Sequence, residues 1–211
     1  MKCSNCSEIN IRPIICIDID GTIAEYHDHL LTFCLSYYNL GAQKISYWDG
    51  DGNFEDYIGI TQEQYREAKL AFRQGGMKRT MPIIPGAARL ARGARDAGAE
   101  IWMTTTRPWQ RLDNVDPDTR EWLSRHGIPY DHLLYDEFKY ERITELVDAG
   151  RIAAIIDDLP EQCHSARQSG LPVTMVARNH NASSGFAPRQ ELGLCAQWAI
   201  NNIKEWKKKN G

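Results

Sequence analysis

Ile14-Ile15-Cys16-Ile17-Asp18-Ile19-Asp20-Gly21-Thr22 is the stretch on which the fold turns. A continuous β-branched run stopped by a small-residue turn predicts a strand buried on both faces of a parallel sheet. Asp18 interrupts that run, and a carboxylate in apolar surroundings is costly without a partner. The strand therefore announces both a fold class and a place where charge must be compensated.

Working outward, Glu25 to Asn39 carries apolar residues at helical spacing, and Gly41 to Asn53 reads as loop. Thr61 with Gln64 forms a capping-box pattern opening a helix to about Phe72. A regular rhythm follows. Pro85-Gly86 opens a helix to Ala97, ended by Gly98; Ala99 to Thr104 reads as a strand, and Asp116 to His126 as a helix with Pro117 in its first turn. His132 to Leu134 reads as a strand, Lys139 to Ala149 as a helix ended by Gly150, and Ile152 to Ile156 as a buried strand. Pro160 to Ser169 is predicted helical, Val173 to Val176 extended, and Glu191 to Lys207 helical. Strands alternating with helices predict an α/β, doubly wound parallel sheet. Residues 24–82 break the rhythm directly after the first strand. They read as a small helical cap inserted into a core made of residues 1–23 and 83–211.

A chain of 211 residues accommodates one domain with such an insertion. Its net charge of −3 gives no global attraction to nucleic acid or anionic membrane. No apolar run approaches the ~20 residues of a membrane span. Met1 to Asn10 is polar and lacks a signal-peptide layout, so a cytoplasmic location with reduced cysteines is expected. Cys3 and Cys6 form a CxxC, but no second pair at finger-like spacing accompanies it, so two thiols on a polar tail is the preferred reading. Half of an intermolecular zinc clasp is the alternative. Lys207-Lys208-Lys209 reads as a solvated helix end, where cations suit the macrodipole.

Acidic residues gather where open α/β sheets bind ligands, at strand ends. Asp18 and Asp20 end the first strand, and Asp157-Asp158 follows Ile152 to Ile156. Converging carboxylates raise one another's pKa unless a hard cation with oxygen ligands joins them, and Mg2+ is the usual choice beside phosphate. Asp157-Asp158 before Leu159-Pro160 also suits a plain turn cap; Asp18 does not.

Asp18-Ile19-Asp20-Gly21-Thr22 resembles the DxDG[TV] signature of phosphatases of the haloacid-dehalogenase (HAD) superfamily. The later motifs of that superfamily have counterparts in order: Thr104-Thr105-Thr106 ending a strand, Lys139 opening a helix, and Asp157-Asp158 closing a strand. The resemblance implies that Asp18 is the nucleophile and Asp20 the acid and base. It implies a phosphoryl-binding threonine, with Thr105 preferred and Thr104 next, and a fixed positive charge from Lys139. It also implies Mg2+ held by Asp18, the carbonyl of Asp20, Asp157 and Asp158. Dehalogenases of the superfamily generally lack the second aspartate, so Asp20 points to phosphoryl transfer.

Two finer resemblances bear on the substrate. Phe72 to Met77 followed by Met81-Pro82-Ile83-Ile84-Pro85-Gly86-Ala87 resembles the 5'(3')-deoxyribonucleotidases, although their Thr-Ser-Pro is Thr-Thr-Arg-Pro here. Thr105-Thr106-Arg107 with Thr119 to Leu123 and His126 to Tyr130 resembles the phosphatase half of polynucleotide kinase/phosphatases. The first implies a nucleoside monophosphate as partner and leads. The second implies a nucleic-acid 3' end and comes next, weakened by the mild acidity of the chain. A phosphosugar stays open, because fold does not fix substrate, and a non-catalytic phosphate-binding module is disfavoured because no motif residue is missing. Thr104, Thr106, Arg107 and Trp109 are the expected substrate contacts, with Arg107 facing either phosphate or the Asp113 to Asp118 loop. The aromatics Tyr26, Phe33, Tyr37, Tyr47, Trp48, Phe54 and Tyr57 offer either base-stacking faces or a core for the cap. Trp122 and Leu123 read as core.

Overall fold

The computed structural model describes residues 11–41 and 53–211; Cys3, Cys6, Tyr47 and Trp48 lie outside the described residues. Within them the strands are β1 (Ile14–Asp18), β2 (Glu100–Thr105), β3 (His132–Tyr135), β4 (Ile152–Asp157), β5 (Val173–Val176) and β6 (Arg189–Gln190). They form one sheet in the order β3-β2-β1-β4-β5-β6, parallel throughout. The helices are α1 (Tyr26–Tyr37), α2 (Phe54–Ile58), α3 (Gln62–Gln74), α4 (Ala87–Asp96), α5 (Val115–Arg125), α6 (Lys139–Leu146), α7 (Pro160–Gln168) and α8 (Leu192–Asn210). No helix among the described residues is long and apolar enough to cross a membrane.

The chain runs outward through β2 and β3, then returns past β1 to begin β4. The strand order thus reverses between β1 and β4, the point where a doubly wound sheet opens a crevice at its carboxyl edge. Register places the chemistry there: Asp18 pairs with Thr104, and Ile17 with Ile156, which sets Asp18 beside Asp157. Side-chain alternation divides β1 between two cores. Ile15 and Ile17 pack with Leu90 of α4, Trp122 and Leu123 of α5, and Ile203 of α8, whereas Ile14 and Cys16 pack with Tyr140 and Ile143 of α6 and Cys163 of α7. Trp122 and Leu123 are core, as their spacing suggests.

The Thr61–Gln64 capping box opens α3 with both of its hydrogen bonds made. Residues 24–82 leave and rejoin the sheet side by side, Glu25 N–H donating to the Pro82 carbonyl and Ile84 N–H to that of Ile23 (both 2.9 Å). The segment thus leaves and rejoins the sheet through a narrow neck. Its aromatics gather around buried Phe72, whose ring meets Tyr26, His29 and Phe33 edge-on, and they join the core beneath β1 rather than forming one of their own.

Three differences from the sequence reading have local causes. Helix α6 stops at Leu146, not Ala149, because Val147 turns extended and the Asp148 carboxylate accepts from Gly150 N–H to start a short 3-10 turn. Helix α2 and strand β6 span only five and two residues, too short to leave a periodic signal.

Candidate active site

Lys139 is the hinge of the site. It is 0% exposed, its Nζ contacts Asp18 Oδ1, and it lies 2.8 Å from Asp157 Oδ2. Tyr140, the next residue of α6, donates its hydroxyl to the same Asp157 oxygen at 2.5 Å. An ordinary exposed helix lysine is thereby excluded. Burial lowers the Lys139 pKa, but Asp157 and Asp18 outweigh it and hold the ammonium above its usual range. Asp18 moves the other way: burial pushes its carboxyl well up, opposed by Lys139 and reinforced by Asp157 and Asp158.

Asp18 Oδ2 is buried without a hydrogen-bond partner. Ligand oxygens of Asp18, Asp157 and Asp158 lie within 4.8 Å of one another. An all-oxygen donor set with an unsatisfied buried carboxylate oxygen fits a hard divalent cation of the Mg2+ type. Gly21 is part of the same construction. Its φ is +92°, and a Cβ there would stand 2.0 Å from Asp158 Oδ2, so only glycine lets the turn after β1 pass that carboxylate. Thr22 then donates to Asp158 Oδ1 at 2.8 Å.

Asp20 faces the segment 24–82 through Lys78. Arg107 grips it with two bonds, Nε to Oδ2 at 2.9 Å and Nη2 to Oδ1 at 2.6 Å, and Lys78 adds Nζ to Oδ2 at 2.5 Å. Burial raises the Asp20 pKa, but Arg107 and then Lys78 reverse this and hold the carboxyl well below the usual range. Lys78, buried and over the Tyr26 ring at 3.8 Å, is pulled down to about 7 chiefly by burial, with Asp20 opposing. Arg107 also donates to Thr119 Oγ1 at 2.6 Å, so it bonds neither the Asp113 to Asp118 loop nor open solvent.

The crevice between the strand ends and residues 24–82 holds a cavity of about 210 Å3. Asp18, Asp20, Thr106 and Arg107 line it from the sheet side, and Tyr26, Tyr65, Lys69, Arg73 and Lys78 from the segment 24–82. Of the three threonines, Thr106 reaches this wall, while Thr104 and Thr105 are buried. Thr105 Oγ1 accepts from Arg107 N–H at 3.3 Å, and Thr104 Oγ1 is without a partner. Trp109 is placed differently from expectation: 45% exposed, its ring 5.8 Å from Tyr135, it lines an adjoining groove instead. Trp109 follows Pro108 as the first residue of a short 3-10 turn, Trp109–Arg111.

Lys69, Arg73 and Lys78 escaped the sequence reading because lysines and arginines of a cap helix resemble any solvated face. The signal available was their spacing. Lys69 and Arg73 stand one helical turn apart on α3, and Lys78 follows the Gly75-Gly76 turn.

No family model matches this sequence, and no curated protein matches it. Solved structures match its fold. A HAD family hydrolase from Deinococcus radiodurans R1, with bound phosphate and sodium, superposes with a TM-score of 0.60 at 13% identity, covering 90% of this chain and 97% of that one. A predicted phosphatase from Clostridium acetobutylicum gives 0.61 at 13% identity, covering 90% and 99%. A putative phosphoglycolate phosphatase from Lactobacillus delbrueckii gives 0.59 at 13% identity, covering 92% and 98%. The fold is the one these hydrolases share.

Proposed function

We propose that this protein is a Mg2+-dependent phosphomonoesterase acting through an aspartyl-phosphate on Asp18. The observation that carries the reading is the buried Asp18 carboxylate, one oxygen on Lys139 and the other unsatisfied, at the floor of a cation-lined cavity. Asp18 attacks phosphorus in line, forming the O–P bond as the ester P–O bond breaks. Asp157 and Asp158 with Asp18 would hold the magnesium ion, which supplies charge neutralisation between an anionic nucleophile and an anionic phosphate. Lys139 supplies a second, fixed positive charge.

The departing ester oxygen needs a proton, and Asp20 is held ionised between Arg107 and Lys78. The transferable proton sits on Lys78, hydrogen-bonded to Asp20, so the pair acts as the acid. In the second half-reaction the neutral Lys78, held by Asp20, takes a proton from water as water attacks phosphorus, which breaks the Asp18–phosphorus bond, releases phosphate and restores both Asp18 and the protonated Lys78. Since kcat/KM reports groups of the free enzyme, activity should fall as pH rises through about 7, where Lys78 loses its proton. In Lys78→Arg, which keeps the charge but does not release its proton, turnover of esters with poor leaving groups should fall sharply and the alkaline limb near 7 should disappear. A pH profile unchanged in the variant would remove Lys78 from the proton path.

For the ester itself, size and charge favour a small substrate with a second anionic group. At about 210 Å3 the cavity is smaller than the roughly 300 Å3 at which drug-sized ligand pockets begin. Lys78 and Arg107 are engaged with Asp20, whereas Lys69 and Arg73 are ion-paired to no described residue, and Arg73 Nε is buried without a partner. Each charge-assisted hydrogen bond contributes roughly 1.5–3 kcal/mol. Arg73→Ala should therefore raise KM by about 10-fold or more for a phosphate ester that also bears a carboxylate or second phosphate. An ester lacking that group should be little affected. Equal losses on both would assign Arg73 to the reacting phosphoryl group.

The nucleotide reading has its own support. The adjoining groove of Trp109 and Tyr135 shares Arg73, Thr106, Arg107 and Pro108 with the cavity, giving a base somewhere to stack outside it. Phosphate release from a panel of mononucleotides, 3'-phosphorylated oligonucleotides, phosphosugars and phosphocarboxylates decides between these esters.

A further inference from the structure

Asp158 also faces two histidines. Its Oδ2 meets two imidazoles, His180 Nε2 at 2.9 Å and His27 Nε2 at 3.9 Å. The two rings stand 4.3 Å apart. We propose that His27, His180 and Asp158 form a binding site for a transition-metal dication of the zinc class, distinct in chemistry from the all-oxygen site of Asp18, Asp157 and Asp158.

The three ligand atoms lie within 4.8 Å of one another. The short His180–Asp158 contact lacks the alignment of a hydrogen bond, and neither His180 Nε2 nor Asp158 Oδ2 has a hydrogen-bond partner although both atoms are buried. A nitrogen and a carboxylate oxygen held this close, both buried and not hydrogen-bonded, in a cluster of three ligand atoms within 4.8 Å, is an arrangement that a bound cation would satisfy.

The surroundings fix these ligands. Thr22 occupies the other Asp158 oxygen. Buried Asn181, next to His180, donates its amide to the Asp158 and Val176 carbonyls at 2.7 and 2.8 Å. Its side-chain oxygen accepts from Arg178 N–H at 3.0 Å and Arg189 Nε at 2.7 Å. This ties the turn Asn179–Asn181, and with it His180, to the backbone of its partner carboxylate. His27 arrives from the first turn of α1. Such outer bonds orient metal ligands in established sites.

Imidazole nitrogen selects zinc, nickel, cobalt or copper over magnesium, which prefers oxygen. Two histidines and one carboxylate leave a fourth position of a tetrahedral site open. A cleft of about 140 Å3 lined by His27, His180, Gly21, Glu25, Asp28 and Arg178 gives access to it.

The test uses the full chain, stripped with chelator and returned to excess Mg2+ so that the carboxylate site is filled. Zinc is then added, and bound zinc is measured after dialysis, with Co2+ absorption as a second readout. The expected result is one retained zinc and visible Co2+ d–d bands, both lost in His180→Gln and in His27→Gln. Cys3→Ser and Cys6→Ser should keep both, which separates this site from a zinc clasp at the CxxC. Near-UV circular dichroism checks that the histidine variants fold; half-exposed His27 carries the test if His180→Gln does not. Absence of zinc binding, zinc retained in a folded histidine variant, or a thiolate charge-transfer band lost with the cysteines would overturn the proposal. The readout is metal content, so it stands or falls apart from the phosphatase reading.

Discussion

Asp18→Asn is expected to cut turnover by about 10^4-fold or more, in keeping with the loss of a covalent nucleophile, while the protein stays folded. The two parts of that result come from the same geometry. Asparagine keeps the shape that fills the end of β1, and Lys139 retains Asp157 at 2.8 Å as its counter-charge. Burial and the neighbouring Asp157 and Asp158 already push the Asp18 carboxyl up, so the native charge at that position costs stability in the absence of a cation. The folded variant should therefore be at least as stable as the parent without Mg2+, and gain less from adding it. Steady-state phosphate release and thermal melts with and without Mg2+ check both halves. A variant that folds and turns over normally would place the nucleophile elsewhere.

Lys139→Met should be the most destabilising single change in the site. It strips the shared cation from two buried carboxylates, Asp18 and Asp157, and leaves like charges facing each other. Breaking a buried pair in this way typically costs about 3–5 kcal/mol. The loss should depend on pH in a defined sense. Asp18, already raised in the native protein, rises further without Lys139. A carboxylate whose folded pKa exceeds its unfolded value favours the folded state below the unfolded pKa and loses that advantage as pH rises through the folded one. The deficit of Lys139→Met should thus be largest at neutral and alkaline pH and shrink on acidification. Mg2+ should restore part of it. Urea unfolding at several pH values, with and without Mg2+, measures each effect; a deficit indifferent to both pH and Mg2+ would mean that Lys139 matters only as packing volume.

The fold was legible because its decisive signals are local. The buried run before Asp18, the Gly-Thr turn and the Thr61–Gln64 box each prescribe their own element, and each formed. Lys139 and Asp18 were legible through motif order, yet their mutual contact was not, since 121 residues separate them and only the packing of α6 against the sheet brings them together. The side of the cavity formed by residues 24–82 was illegible for another reason. Lys69, Arg73 and Lys78 gain meaning only from what they face, and spacing along α3 looks the same whether a lysine meets water or a cavity. Trp109 shows the converse: one residue past a proline, it stands outside the pocket that its neighbour Arg107 helps to line. His27 and His180, 153 residues apart by numbering, meet through α1 and the turn after β5, a juxtaposition no linear pattern announces.

The covalent role of Asp18 is tested most directly by acid-quenching the enzyme during turnover of a phosphate ester with Mg2+ and mapping phosphoryl groups by mass spectrometry. A phosphoryl adduct on the peptide containing Asp18, absent without Mg2+ and absent in Asp18→Asn, is the predicted result. Phosphate release that proceeds at full rate with no adduct on that peptide would contradict it.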